Sequence, residues 1–202
     1  MECPECNMAY AEYLPEDRKQ HRIYHDQIVN GVPAPHLKSD VIIWRINEDR
    51  IIAVNSYSPM PQRVRASKVG SAANQEMHYD GGIYSRNERP DERNIHLFLY
   101  CSKKRAIGLA KLEKRSFIVK YTWEEYDKNI QKEMIESDSI WSLGFIWVHK
   151  KHRKNGIAKT ILTEAISYLG VSISGIGLYT PLSEEGEHFA KSIFPVSFLI
   201  AK

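Results

Sequence analysis

Residues 140–169 read IWSLGFIWVHKKHRKNGIAKTILTEAISYL, and the fold follows from how this stretch divides. Residues 140–148 are rich in Ile, Trp, Phe and Val, the composition of a largely buried strand. Residues 149–155 form a basic loop with Lys150, Lys151, Arg153 and Lys154. From Gly156 a helix follows, with Ile157, Ile161, Leu162, Ala165, Ile166 and Leu169 recurring on one face. A strand that turns through a glycine into a helix offers unpaired N–H groups and the positive end of the helix dipole. With cations clustered beside it, the turn is suited to hold a phosphate or pyrophosphate.

Working outward, residues 175–180 read as a short strand. Ser183 caps a helix running to about Ile193, with Glu184 and Glu185 in its first turn, and residues 196–200 read as a last strand. Upstream, residues 41–46 and 50–55 form a hairpin around Asn47-Glu48-Asp49, and residues 95–101 and 106–112 form another across Ser102-Lys103-Lys104. Residues 60–77 read as an irregular helix with a poor apolar stripe, and residues 78–92 as loop or a short strand. Residues 116–121 extend the sheet. Residues 122–136 look helical, with Thr122 as N-cap and Glu125 as its capping-box partner. The fold class is α/β: a mixed central sheet flanked by helices. In such sheets ligands sit beyond the carboxyl ends of strands, which places the basic loop at the site.

The first 36 residues form a separate unit, leaving 37–202 for the α/β domain. Cys3 and Cys6 lie in a C-x2-C knuckle, and His21 and His25 share one helical face four residues apart. Pro15, Glu16 and Asp17 suit the start of that helix. The pattern C-x2-C-x14-H-x3-H supplies four ligands for tetrahedral zinc, and a closed four-ligand site is structural rather than catalytic. A DNA-reading role is weakly supported: one finger covers only about three base pairs, and the helix mixes acids with bases.

The chain has 202 residues, 43% hydrophobic and 26% charged, with net charge +3. That suffices for one good core, while the charge is too mild to argue for nucleic acid. No apolar run is long enough to span a membrane, and the N-terminus lacks the apolar region of a signal peptide. Three cysteines, two in one knuckle, do not form a disulfide scaffold. The expected compartment is reducing: cytoplasmic, or nuclear in a eukaryote.

The loop is neither a Walker A motif nor a dinucleotide fingerprint. It does carry R-x-x-G-x-A at Arg153, Gly156 and Ala158, which resembles the acetyl-CoA loop of GNAT acetyltransferases. A wider resemblance runs through CPECNMAY, PEDRKQHRIYH, RIIAV, the IWV before the loop, and the closing TPLSEEGEHFAKSIF. In these the chain is similar to the cohesin acetyltransferase (establishment-of-cohesion) branch, which joins a Cys2His2 finger to a GNAT domain. The resemblance implies an acetyl-CoA-dependent N-acetyltransferase. Ile146, Trp147 and Val148 would face the thioester and pantetheine. Arg153, Lys154, Asn155, Gly156, Ile157 and Ala158 would hold the pyrophosphate. Cys3, Cys6, His21 and His25 would hold a structural Zn2+.

The acceptor side departs from that branch. Gly144 stands where it has a serine, Thr163 where it has a glutamate, and Thr180 where it has an aspartate. Ile193 replaces a tyrosine common in GNAT enzymes, and Glu164 is one residue out of register. Thr180 and Ser142 are the polar groups expected near the cleft as catalytic candidates, able to hold a water that takes the acceptor's proton. Each also reads as an ordinary sheet or turn residue. His149 and His152 are expected to be solvated or phosphate-facing. Glu184, Glu185 and Glu187 read as helix caps, or as attraction for a cationic acceptor. The acceptor is a primary amine. A lysine-bearing protein is favoured slightly over an aminoglycoside- or polyamine-like molecule, and a lapsed acyl-CoA-binding module is the alternative.

Overall fold

A computed structural model describes residues 1–77 and 94–202, so the expectation for residues 78–92 lies outside the described residues. The elements run α1 (Pro15–Asn30), β1 (Val32–Pro33), β2 (Val41–Ile46), β3 (Asp49–Asn55), α2 (Met60–Met77), β4 (His96–Ser102) and β5 (Arg105–Thr122). They continue through α3 (Trp123–Asp127), β6 (Ile135–Val148), α4 (Ile157–Leu169), β7 (Gly177–Leu178), α5 (Glu184–Ile193) and β8 (Ser197–Ala201).

The sheet order is β2-β3-β4-β5-β6-β7-β8, with β1 on β5 and β8 also paired to β5. Pairing is antiparallel from β2 to β6, whereas β7 lies parallel to both β6 and β8. Because strand side chains alternate, the sheet buries two faces. Phe98, Tyr100, Ala110, Leu112 and Leu143 pack with Ile157, Ile161, Leu162 and Ala165 of α4. Leu97, Leu99, Leu109, Phe145 and Trp147 pack with Ala66, Val69, Ala72 and Ala73 of α2. The weak apolar stripe of α2 is a run of small residues, and the helix is regular over eighteen residues. Gly108 has a related purpose, since a Cβ there would stand 2.8 Å from Ile161 Cδ1.

Four expectations about the elements change. Thr122 does form the capping box with Glu125, but the helix it starts ends at Asp127 rather than near residue 136. Residues 128–134 offer no apolar stripe to bury, and Asn129 turns the chain with φ of +52°. β6 therefore begins at Ile135, five residues earlier than its apolar composition suggested, because β5 supplies an edge for it there: Ile118 pairs with Ile135 and Phe117 with Glu136. The segments expected at 106–112 and 116–121 are one strand, Arg105–Thr122. The connector after α1 also contributes the two-residue strand β1, which pairs with Arg105 and Ala106.

Candidate active site

β6 and β7 pair only at Ser142–Gly177 and Leu143–Leu178, followed by one hydrogen bond from Tyr179 N to Leu143 O at 3.1 Å. Beyond Leu143 the two strands part, while β6 continues to Val148 on its β5 side. Into this gap open the basic loop and the start of α4. The loop contains a single 3-10 turn over Lys150–His152. Lys154 (φ +64°) and Gly156 (φ +76°) are both left-handed, and Gly156 caps α4 without a side chain. The first-turn N–H groups thus have no side-chain acceptor at the cap, an arrangement suited to an anion.

A cavity of about 450 Å³ lies here. Ile146, Trp147, Val148, Arg153, Lys154, Gly156, Ile157 and Ala158 line it, and α5 forms part of the wall with Ser183, Glu185 and Phe189. Asn155 is the one residue of the expected set outside this lining. Arg153 is held in place from three directions. Its Nε donates to Val148 O at 3.0 Å, one terminal nitrogen to Glu76 Oε1 at 2.8 Å and the other to Glu185 Oε1 at 3.4 Å. The second oxygen of Glu76 accepts from Trp147 Nε1 at 3.1 Å. Glu185 therefore borders the same cavity as the basic loop, while Glu187 is tied to Lys191 at 2.6 Å; Ser183 caps their helix through Gly186 N.

The two expected catalytic residues do not meet. Ser142 is fully buried on β6, and its hydroxyl has no hydrogen-bond partner among the described residues. Thr180 lies beyond β7 and lines a smaller space of about 220 Å³ with Tyr121, Tyr126 and Lys132. Thr163 is exposed on α4. One buried carboxylate escaped the sequence reading. Glu113 of β5 is the register partner of Ser142 and is 2% exposed. It is flanked on its own face by Lys111, 3.1 Å away, and by Arg115, which donates to it. Burial alone would raise this carboxyl, but the two cations prevail and hold it below the usual carboxylate range. The available signal was Lys-x-Glu-x-Arg at alternating positions of an otherwise apolar strand.

His149 is neither solvated nor phosphate-facing. It is 1% exposed and its Nε2 donates to Ile28 O at 2.7 Å, leaving Nδ1 to accept from Lys151 N at 3.3 Å. It thereby fastens α1 to the basic loop. Arg105 adds a two-pronged pair to Asp26 at 2.6 and 3.0 Å.

In the N-terminal unit the ligand atoms of Cys3, Cys6, His21 and His25 all lie within 4.8 Å of one another. Cys3 Sγ is 3.3 Å from His25 Nδ1, and His21 Nε2 is buried with no hydrogen-bond partner. An orphaned imidazole nitrogen aimed at two thiols fits a tetrahedral metal. Backbone N–H groups of Cys6 and Glu5 pull the Cys3 thiol down to about 6, favouring the thiolate that ligates. Tyr10 stacks on His21 at 3.9 Å, and Glu5 lies 3.3 Å from the second nitrogen of His25.

The sheet with its parted strands, basic loop and following helix is the mixed α/β fold of a GNAT acetyltransferase domain. It matches the xEco2 acetyltransferase domain with a TM-score of 0.63 at 18% identity, covering 83% of this chain and 98% of that one. The same domain bound to a K105-CoA conjugate matches with a TM-score of 0.62 at 17% identity, covering 80% and 97%. Residues 1–27 match the family described as the zinc-finger of acetyl-transferase ESCO. Over 206 residues the chain is 26% identical to N-acetyltransferase eso1 of Schizosaccharomyces pombe, covering 93% of this chain and 22% of that protein. It is 23% identical over 201 residues to N-acetyltransferase ECO1 of Kluyveromyces lactis, covering 82% and 73%. The chain thus joins an ESCO-type finger to a GNAT-fold domain and is similar to the eso1 and ECO1 acetyltransferases over most of its length, while spanning about a fifth of eso1. Among the described residues no helix is long and apolar enough to cross a membrane.

Proposed function

We propose that the chain is an acetyl-CoA-dependent N-acetyltransferase acting on a primary amine. The observation that carries this reading is the cavity of about 450 Å³ bounded by the free edge of β6, the cationic loop and the start of α4. Arg153, Lys154 and the first turn of α4 are suited to the pyrophosphate. The unpaired edge of β6 at Ile146–Val148 offers backbone groups to the pantetheine and to the oxyanion that forms on the thioester carbonyl. Attack by a neutral amine forms the C–N bond and releases the CoA thiolate. In-line placement and backbone oxyanion stabilisation supply much of such an acceleration, and a proton acceptor adds roughly 10²–10⁴-fold.

A lysine-bearing protein is the favoured acceptor, because residues 1–27 match the finger described as that of acetyl-transferase ESCO. Residues 1–36 serve in this reading as a zinc-stabilised unit and residues 37–202 as the transferase. Reducing cytoplasm, or the nucleus in a eukaryote, is the compartment that keeps Cys3 and Cys6 available to zinc. A second reading, an acyl-CoA-binding module without turnover, draws on Gly144 and on the exposure of Thr163. Isothermal titration with acetyl-CoA tests what both share: absence of binding would sink both. Thiol release with lysine peptides and small amines then separates them, since turnover with any acceptor rejects the second.

A further inference from the structure

Arg153 has a carboxylate on either side, and the two are unlike. The Glu76 side chain of α2 is 12% exposed and accepts from Arg153 Nη2 at 2.8 Å; the Glu185 side chain of α5 is 78% exposed and lies 3.4 Å from Nη1. Glu76 is also fixed from its far side, because its other oxygen accepts from Nε1 of buried Trp147 at 3.1 Å. The Trp147 ring in turn stands edge-on to the buried His149 ring, with centroids 6.2 Å apart. A guanidinium carries its donors in a rigid planar fork. With Nε on Val148 O and Nη2 on Glu76, the plane is set, and Nη1 is the nitrogen left toward the cavity that Glu185 borders.

We propose that Glu76 is a positioning residue for the acyl donor: it fixes Arg153 so that Nη1 meets the donor's diphosphate where Glu185 now sits. This rests on the acetyl-transfer reading above, through its donor. The diphosphate displaces Glu185, an exposed partner whose ion pair is worth little. Glu76 stays, because releasing it would leave a largely buried carboxylate without its donors. As a charge, Glu76 opposes an anion bound beside it. Its benefit therefore comes through geometry: a guanidinium already ordered loses less freedom when the ligand binds, worth roughly two- to tenfold in affinity. The two carboxylates thus act in opposite directions. Loss of the Glu185 charge frees Nη1 and tightens donor binding, whereas loss of the Glu76 charge loosens it. Glutamine cannot replace Glu76, because one end of an amide is a donor and would turn an N–H toward either Trp147 Nε1 or Arg153.

Acetyl-CoA titrations of the wild type, E76Q, R153A and the double variant, at low and high salt, test this. E76Q should raise Kd roughly two- to tenfold at both salt concentrations, the reverse of the salt-sensitive tightening expected of E185Q. In the R153A background E76Q should raise Kd no further. Acetyl-pantetheine, a thioester without a diphosphate, gives the second readout: its Kd should be the same for E76Q as for the wild type. A Glu76 that merely ties α2 to β6 would weaken both donors, and would do so with or without Arg153. Should E76Q fail to fold, Glu76→Asp keeps the charge but is one carbon too short to span both donors, and it should show the same pattern. Unchanged or tighter acetyl-CoA binding, a loss that persists in R153A, or an equal loss with acetyl-pantetheine overturns the proposal alone. A wild type that fails to bind acetyl-CoA overturns it together with the transferase reading.

Discussion

The His149 imidazole donates to the carbonyl of Ile28 at 2.7 Å, so the last turn of the finger helix ends on the first residue of the cofactor loop. This bond is buried, and removing the ring leaves a carbonyl without its donor. We expect His149→Ala to cost about 1–3 kcal/mol. Burial holds this imidazole below its usual value of 6.5, against the opposing effect of the Ile28 bond, and burial lowers His96 likewise. A histidine kept neutral by the fold contributes stability above its unfolded value, and that contribution is lost as pH falls through 6.5 toward the folded value. Chemical denaturation between about pH 7 and 5 should therefore show a stability loss in the wild type that is smaller in His149→Gln.

Metal removal should act on stability as well as activity. The orphaned His21 Nε2 and the Cys3–His25 contact lose their purpose without a central ion. Cys3→Ser and chelation of the wild type should each lower the thermal midpoint, and zinc should restore only the chelated wild type. An unchanged midpoint after complete metal removal would count against a structural ion.

Arg153 is expected to favour cofactor affinity over turnover. Arg153→Ala should weaken acetyl-CoA binding by about tenfold or more, the loss of a charge-assisted contact, with a smaller drop in kcat. Glu185 competes for the same guanidinium at 3.4 Å from an exposed position. Glu185→Gln should instead tighten acetyl-CoA binding modestly, and added salt should erase the difference. Titrations at low and high ionic strength read both effects.

The junction of β7 and β8 is close-packed. A Cβ at Gly177 would stand 2.6 Å from the Ala201 Cβ. Gly177→Ala should cost about 1–3 kcal/mol through overpacking, and Ala201→Gly in the same chain should recover most of it. Denaturant midpoints of the two single variants and the double variant close the cycle.

The periodic parts of the fold were legible in the sequence. The helix of residues 157–169 and the basic loop before it announce themselves through spacing and charge, and the four zinc ligands through their intervals. The short α3 and the long β6 were not, because a correct local cap at Thr122 says where a helix starts and nothing about where it stops. That end is set by the edge β5 offers to Ile135, a contact far along the chain. For the site, the donor side could be read as a contiguous motif. The buried carboxylate of Glu113 could not, since its neighbourhood with Ser142 is set by the register of two strands rather than by a contiguous motif. His149 was misread because its loop is basic and looks solvated; only the approach of Ile28 makes it an interior residue.

β5 runs unbroken for eighteen residues and pairs with β1, β4, β6 and β8. Arg105 at one end holds the finger helix through Asp26, while Thr122 at the other caps α3. β1, β4, β6 and β8 cannot detach without cutting ladder bonds to this strand, so its central amides should be among the last to exchange with solvent. The finger is then less an appendage than one end of a single cooperative unit, and damage to its metal should be felt as lost protection along the full length of β5.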